Sequence, residues 1–235
     1  MLFRSKVKQG EIHKHWETSQ KDIRDQKKVK FLKTHNSLIT AFGNDFTKPE
    51  YTLGVIYVIR DPRNVITSVK NHNDLDTYDE ALKFMQDENK VLEDYPHLKN
   101  YAKTNIVNSW RINYRSWLSN KSFRRVTIRY EDMVKNPAQT FEKLVVFVNT
   151  LMRFDNKIDQ KKLNNAIDTT NFKSLQNIEN AGKFGENVYS LKDNRKIKFF
   201  YQGPDNDWKK NLDENMIKKM NEYYRDDLKF FQYEN

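Results

Sequence analysis

The chain has 235 residues with 37% hydrophobic and 13% aromatic residues, no cysteine, and 42 lysines and arginines against 32 aspartates and glutamates. Without cysteine, disulfides, thiolate catalysis and cysteine-ligated zinc or iron–sulfur centres are excluded. The formal charge of +10 favours anionic ligands, a class that includes nucleotides, nucleic acids, acidic glycans and lipid headgroups.

The length and the even composition predict a single domain over residues 1–235, because neither a repeat nor a Gly/Ser-rich linker interrupts the sequence. The basic residues near the start are not followed by the apolar stretch typical of a secretory signal. No apolar run reaches the length of a membrane span. The sequence therefore predicts a cytoplasmic protein without a membrane span.

Short apolar runs alternate with longer segments of helical spacing along the chain. The apolar runs, rich in β-branched and aromatic residues, predict buried strands at 29–32, 53–59 and 126–128. The helical spacing predicts helices at 62–71, 78–92, 106–118, 137–151 and 213–231. Because strands and helices alternate, we predict an α/β fold with a central parallel sheet flanked by helices.

The first predicted strand runs directly into the polar residues Lys33, Thr34 and His35. A histidine at a strand end can serve as a general base near neutral pH, and Lys33 points to the same side of an extended chain. The alternative interpretation is a capped strand end with an exposed basic pair. The residues alone leave both interpretations open.

The second predicted strand ends at Arg60 and is followed at once by a helix start. Asp61 is a typical N-cap residue, and Pro62 takes the first helical position. We expect unpaired N–H groups at the start of this helix to form an anion site with Arg60, and Ser68, two turns along, to reach the same anion. The alternative is that Arg60 pairs with a carboxylate and Ser68 faces solvent.

Two further pairs of residues are better explained by structural roles than by roles in metal or substrate binding. His13 and His15 lack a nearby third ligand, so we expect no metal site there. Trp110 and Trp117 lie seven residues apart on one helical face, which predicts core packing.

Four motifs occur in the order typical of sulfotransferases that use 3′-phosphoadenosine 5′-phosphosulfate (PAPS). They are KTH at 33–35, RDPRNVITS at 60–68, VTIRYEDMVKNP at 126–137 and FFYQGPDNDW at 199–208. The combination extends over nearly the whole chain and is specific in its order. The chain thus resembles the PAPS-dependent sulfotransferase family, which implies a P-loop NTPase-like α/β fold, PAPS as co-substrate and no metal.

The resemblance also implies roles for individual residues. Arg60 and Ser68 would bind the 3′-phosphate of PAPS. His35 would deprotonate the acceptor, and Lys33 would stabilise the charge that builds on the leaving oxygen.

Further positions match the family less completely. By resemblance, Tyr130 lies near the nucleotide and Phe172 lies close to its adenine. Asn113 stands where many relatives place a histidine near the acceptor, which puts one acceptor contact in doubt.

The late motif departs from the Arg-Lys-Gly triplet whose arginine, in relatives, helps to hold the 3′-phosphate. Here Tyr201, Gln202 and Gly203 occupy those positions, so that two charges are lost and Gly203 is retained as a nucleotide-binding position. Basic residues just upstream, among them Lys192 and Arg195, could supply the missing charge. A solvated basic face is the alternative.

The largest departure from the family concerns its first βα unit, which normally carries a Gly-containing phosphosulfate loop before KTH. Here KTH begins at residue 33, and none of the six glycines lies in such a loop. A βα element with its return connection takes about 30 residues or more. We therefore predict that this unit is missing or degenerate and that the sequence is truncated at its N-terminus, residues 1–5 being the tail of the lost helix. A natively short protein that needs a partner is the alternative.

Three functions follow from these observations. The first is an enzyme that transfers a sulfuryl group from PAPS to a hydroxyl or amine acceptor by in-line displacement. The second is a catalytically impaired nucleotide-binding or partner-binding module of the same fold. The third, less favoured because the basic residues are dispersed, is a nucleic-acid-binding protein. The acceptor class is open, and a homo-oligomer is compatible with the sequence.

Overall fold

A computed structural model describes residues 11–26, 29–93, 104–186, 188–190 and 192–233. The described residues divide into two compact units. The first unit comes from Met1–Tyr57 and Gln86–Arg125, and the second comes from Val58–Met85 and Val126–Asn235. Each unit therefore combines segments that are far apart in the sequence. The predicted single domain over 1–235 stays a prediction.

The secondary structure alternates between short strands and helices. The helices are α1 Trp16–Asp25, α2 Pro62–His72, α3 Tyr78–Gln86, α4 Trp110–Ser119, α5 Tyr130–Lys135, α6 Pro137–Met152, α7 Gln160–Thr169, α8 Phe172–Asn180, α9 Trp208–Asn211, α10 Glu214–Tyr223 and α11 Arg225–Phe230. The strands are β1 Thr40–Ala41, β2 Asn44–Asp45, β3 Val55–Ile59, β4 Val91–Glu93, β5 Thr104–Ile106, β6 Arg125–Arg129, β7 Val188–Tyr189 and β8 Lys196–Ile197.

Strands β3 and β6 pair in the parallel sheet, and the amide of Val55 donates to the carbonyl of Arg124 at their start. The β-branched runs VIYVI and RVTIR form these strands, and the side chains of Ile59 and Ile128 are buried. The pairs β1–β2, β4–β5 and β7–β8 are antiparallel. The predicted α/β fold is confirmed.

The predicted strand at 29–32 is wrong. This segment has no regular secondary structure, and Val29, Phe31 and Leu32 expose 50%, 75% and 51% of their surface. An apolar run becomes a buried strand only when a neighbouring strand forms hydrogen bonds with its N–H and C=O groups. Within the described ranges no strand pairs with these residues. The predicted helical tail at residues 1–5 lies outside the described residues.

The predicted helix at 78–92 is too long. Helix α3 ends at Gln86, because the side chain of Asp87 accepts from the amide of Asn89 and forms a turn. Strand β4 follows and pairs with β5, with Val91 opposite Ile106.

Two other predicted helices also need correction at their boundaries. Helix α4 begins at Trp110 rather than at residue 106, because Ser109 caps it by accepting from the amide of Ile112. The predicted helix at 213–231 is interrupted at Tyr224 and forms α10 and α11.

In the second unit, helix α2 packs against α9 and α10. Its inner face includes Ile66, which is fully buried. Strand β3 leads directly into this helix, so the packing of α2 fixes the position of the residues at the junction. In the part of the chain that is described, no helix combines the length and the apolarity that crossing a membrane requires.

Candidate functional site

In the second unit, Arg60 and Tyr130 directly follow the parallel strands β3 and β6. The carboxyl ends of adjacent parallel strands meet at one edge of the sheet, which is the usual ligand edge of open α/β sheets. The guanidinium carbon of Arg60 lies 4.3 Å from the centre of the Tyr130 ring, in cation–π geometry. Its Nη2 donates to the carbonyl of Gly203 at 2.7 Å. Three of the predicted nucleotide-binding residues are thus in contact.

Arg60 combines a desolvated charge with an unused hydrogen-bond donor. Burial lowers the pKa of Arg60 from its ordinary value, and nearby Tyr130 and Glu131 oppose this shift. The Nε atom is buried and has no hydrogen-bond partner. Among the described residues, no carboxylate forms a salt bridge with Arg60. Since buried N–H groups of cations are normally paired, an anion with a free oxygen would fit here.

Phe172 joins the same group through Gly203. Helix α8 begins at Phe172 and contains the buried residue Glu179. The carboxylate of Glu179 accepts from the amides of Phe199 and Phe200 at 2.6 and 2.9 Å. Gly203 has φ +53°, and a Cβ there would lie 2.1 Å from the ring of Phe172. The absence of a side chain at this position therefore permits the ring and the loop to approach each other.

Replacing Gly203 by alanine should destabilise the protein by about 1–3 kcal/mol, because a positive φ and a clash with Phe172 coincide at this position. Thermal unfolding would measure the loss. Gly43→Ala is the matched control, since Gly43 also has a positive φ, +78°, but has nothing within 4 Å of the added Cβ. Equal losses for the two variants would show that the contact with Phe172 contributes nothing.

The N–H groups at the start of α2, which we expected to bind an anion, have partners within the protein. The side chain of Asp61 accepts from the amide of Arg63 at 2.9 Å, and its carbonyl accepts from the amides of Asn64 and Val65. The first-turn N–H groups are therefore already paired. Ser68 is exposed on the same helix, and its predicted contact with the 3′-phosphate is untested.

Sequence reasoning missed the network that holds the late motif against α2. Asn64 accepts two hydrogen bonds from the late motif. Its main-chain carbonyl accepts from Nδ2 of Asn206 at 2.8 Å, and its side-chain oxygen accepts from the amide of Trp208 at 2.9 Å. The guanidinium carbon of Arg63 lies 4.1 Å from the centre of the Trp208 ring. The only sequence signal was that RDPRN and NDW occur together. These contacts place Gly203 beside Arg60.

The basic residues upstream of the late motif already have acidic partners. Lys192 pairs with Asp76 at 2.5 Å, and Arg195 pairs with Asp74 and Asp193. These two residues therefore give little support to the expectation that upstream charges replace the missing triplet.

In the first unit, His35 and Lys33 are exposed and belong to a segment without regular secondary structure. The residues that follow are held by helix α4. Nδ2 of Asn113 donates to the carbonyl of His35 at 3.1 Å, and Nε1 of Trp117 donates to the carbonyl of Asn36 at 2.9 Å. Trp117 is buried, as its spacing predicts, whereas Trp110 is only half-buried. Its role in holding this segment has no sequence signal.

The two histidines near the start have no metal-site geometry in the structure. The ring of His13 is buried and lies 4.9 Å from the ring of Phe42, centre to centre. Within the described ranges, no group of three or more His, Asp or Glu residues could hold a metal ion.

These observations define an α/β protein in which a partly buried arginine with an unpaired donor lies at the carboxyl edge of two parallel strands. The chain belongs to the sulfotransferase family: the family model described as "Sulfotransferase domain" matches residues 3–232.

Solved structures are similar to part of this chain. Retinol dehydratase, in complex with androsterone and the inactive cofactor PAP, is 19% identical over 75% of this chain and 47% of that chain, with a TM-score of 0.50. This likeness shows the shared fold. A mouse sulfotransferase, SULT7A1, complexed with PAP is 17% identical over 75% of this chain and 58% of that chain, with a TM-score of 0.49. The chain thus spans about half the length of the relatives it matches.

Proposed function

We propose that the protein is a PAPS-dependent sulfotransferase that moves a sulfuryl group to a hydroxyl or amine acceptor by in-line displacement. The observation that carries the proposal is the buried, unpaired Nε of Arg60, whose guanidinium group contacts Tyr130 and Gly203 in a chain of this family. The acceptor oxygen or nitrogen forms a bond to sulfur, the bond from sulfur to the bridging oxygen breaks, and adenosine 3′,5′-bisphosphate (PAP) leaves.

The nucleotide roles are assigned to residues of the second unit. Arg60 would bind the 3′-phosphate of PAPS as a fixed cation, and Ser68 would add a hydroxyl. Tyr130, Phe172 and Gly203 would surround the nucleotide. The presence of PAP in the solved relatives supports this assignment.

The chemical roles are assigned to residues of the first unit. His35 would take the proton of the acceptor, a task suited to a group whose ordinary pKa is near neutrality. Lys33 would stabilise the negative charge on the leaving oxygen. No step in this scheme requires a metal.

The described residues fit the 3′ end of PAPS better than its 5′ end. Among the described glycines, none precedes the KTH motif, and only Gly203, which belongs to the late motif, lies between a strand and the α-helix that follows it. The alternative proposal is a module of the same fold that binds the nucleotide but transfers poorly. A cytoplasmic location and a homo-oligomer stay predictions from the sequence.

Arg60→Ala should weaken the binding of PAP by about 10- to 150-fold, because it removes hydrogen bonds between a charged group and a phosphate. AMP lacks the 3′-phosphate, so the variant should bind AMP as the wild type does. Calorimetric titration of both nucleotides at moderate salt measures the difference and suppresses nonspecific attraction.

The control variant is Arg24→Ala, which removes the same charge from an exposed arginine paired with Asp25. It should leave PAP affinity unchanged. Equal, weak binding of PAP and AMP that Arg60→Ala does not alter would contradict the sulfotransferase proposal. PAP selectivity without transfer to a phenol, a primary alcohol, a primary amine or an oligosaccharide would favour the binding module.

A further inference from the structure

Helix α4 holds the main chain of the segment that contains His35 with three side chains. Asn113 and Trp117 donate to the consecutive carbonyls of His35 and Asn36, and Oγ of Ser116 accepts from the amide of Leu38 at 2.9 Å. Residues three and four apart lie on the same helical face. One face of α4 therefore fixes the path of the chain immediately after the proposed base.

The side-chain amide of Asn113 uses both of its N–H donors and one acceptor direction of its oxygen. Its Nδ2 donates to the carbonyls of His35 and Val107 at 3.1 and 2.9 Å, and its Oδ1 accepts from the hydroxyl of Tyr57 at 2.8 Å. An amide has two N–H donors on one end and none on the other. Rotating it by half a turn would bring Oδ1 against two carbonyl oxygens, so only one orientation is compatible with these partners.

Tyr57 keeps the Asn113 amide in that orientation. Burial raises the pKa of the Tyr57 hydroxyl well above its ordinary value, with a smaller contribution from Tyr114. The hydroxyl is therefore protonated and remains a hydrogen-bond donor throughout the range in which a histidine titrates.

We infer that Asn113 is a positioning residue that, oriented by Tyr57, fixes the main chain of His35 and through it the placement of the imidazole. The catalytic part of this inference rests on the proposed function, which assigns His35 as the base. The geometric part does not, because it concerns only the hydrogen bonds between α4, β3 and the segment at His35.

The test compares Asn113→Ala and Tyr57→Phe with wild type in two measurements. In a carbon–proton correlation spectrum, the His35 Cε1–Hε1 signal, assigned by its absence in His35→Asn, should shift or broaden in both variants. The second measurement is kcat with the best of the four acceptors named above, which should fall about 10-fold in Asn113→Ala. The affinity for PAP should stay within about 2-fold, because the variant loses orientation of the base and not nucleotide binding.

Ser109→Ala is the matched control, because it removes the N-cap hydrogen bond of the same helix without contacting His35. It should lower the melting temperature but leave the His35 signal and kcat unchanged. An unmoved His35 signal in both Asn113→Ala and Tyr57→Phe would overturn the inference, as would equal loss of kcat in Ser109→Ala. If wild type neither binds PAP nor transfers, the proposed function fails, whereas the His35 signal still decides the positioning role.

Discussion

Replacing His35 by asparagine is expected to lower the rate of sulfuryl transfer by about 10²- to 10⁴-fold, the usual contribution of a general base. Asparagine retains a polar side chain of similar reach but cannot accept a proton near neutral pH. The main chain at His35 should be retained, because Asn113 and Trp117 contact only the carbonyls of residues 35 and 36.

Single-turnover transfer from labelled PAPS measures this effect, with PAP affinity determined in parallel. PAP affinity should not change, because His35 is assigned to the acceptor and not to the nucleotide. His15→Asn makes the same substitution next to α1 and should leave the rate at the wild-type value. A His35→Asn variant that transfers within a few-fold of wild type would rule out His35 as the base.

Asp61→Asn is expected to lower the free energy of unfolding by about 3–5 kcal/mol, because it removes a carboxylate charge that contacts a fully buried arginine. Arg63 is 0% exposed, and its Nε and Nη2 donate to the two carboxylate oxygens of Asp61 at 3.0 and 2.8 Å. Its Nη1 donates to Oδ1 of Asn221. In the variant, an amide N–H group would face the guanidinium, while the cap bond to the amide of Arg63 could persist through the remaining oxygen.

Chemical denaturation with a linear fit gives the free energy of unfolding for this comparison. Asp79→Asn is the control, because Asp79 pairs with Lys219 at the surface, with 59% and 42% of their side chains exposed. Exposed pairs of this kind contribute about 0–1 kcal/mol. A loss below about 1 kcal/mol for Asp61→Asn would show that the Asp61–Arg63 pair does not hold the strand–helix junction.

Sequence reasoning succeeded where the pattern is local. The β-branched run before Arg60, the cap at Asp61 and the proline at the first helical position determine the junction of β3 and α2. The same run, with the one that ends before Tyr130, places Arg60 and Tyr130 at the ends of paired parallel strands, and their contact follows from that pairing.

Sequence reasoning failed where a contact joins distant segments. The apolar run at 29–32 has the composition of a strand, but strand formation depends on a neighbour that no local pattern reveals. Asn113 drew notice only because relatives carry a histidine there, yet its hydrogen bonds reach the main chain of residues 35 and 107. Main-chain acceptors are present at every position, so no residue type marks the one that a side chain will reach.

The way in which α4 holds residues 35–38 has a consequence for protein engineering. Since the hydrogen bonds from Asn113 and Trp117 end on carbonyl groups, they do not depend on which side chain residue 35 or 36 carries. The exposed positions 33 and 35 therefore offer a ready scaffold on which other reactive side chains could be installed without redesigning the backbone that presents them.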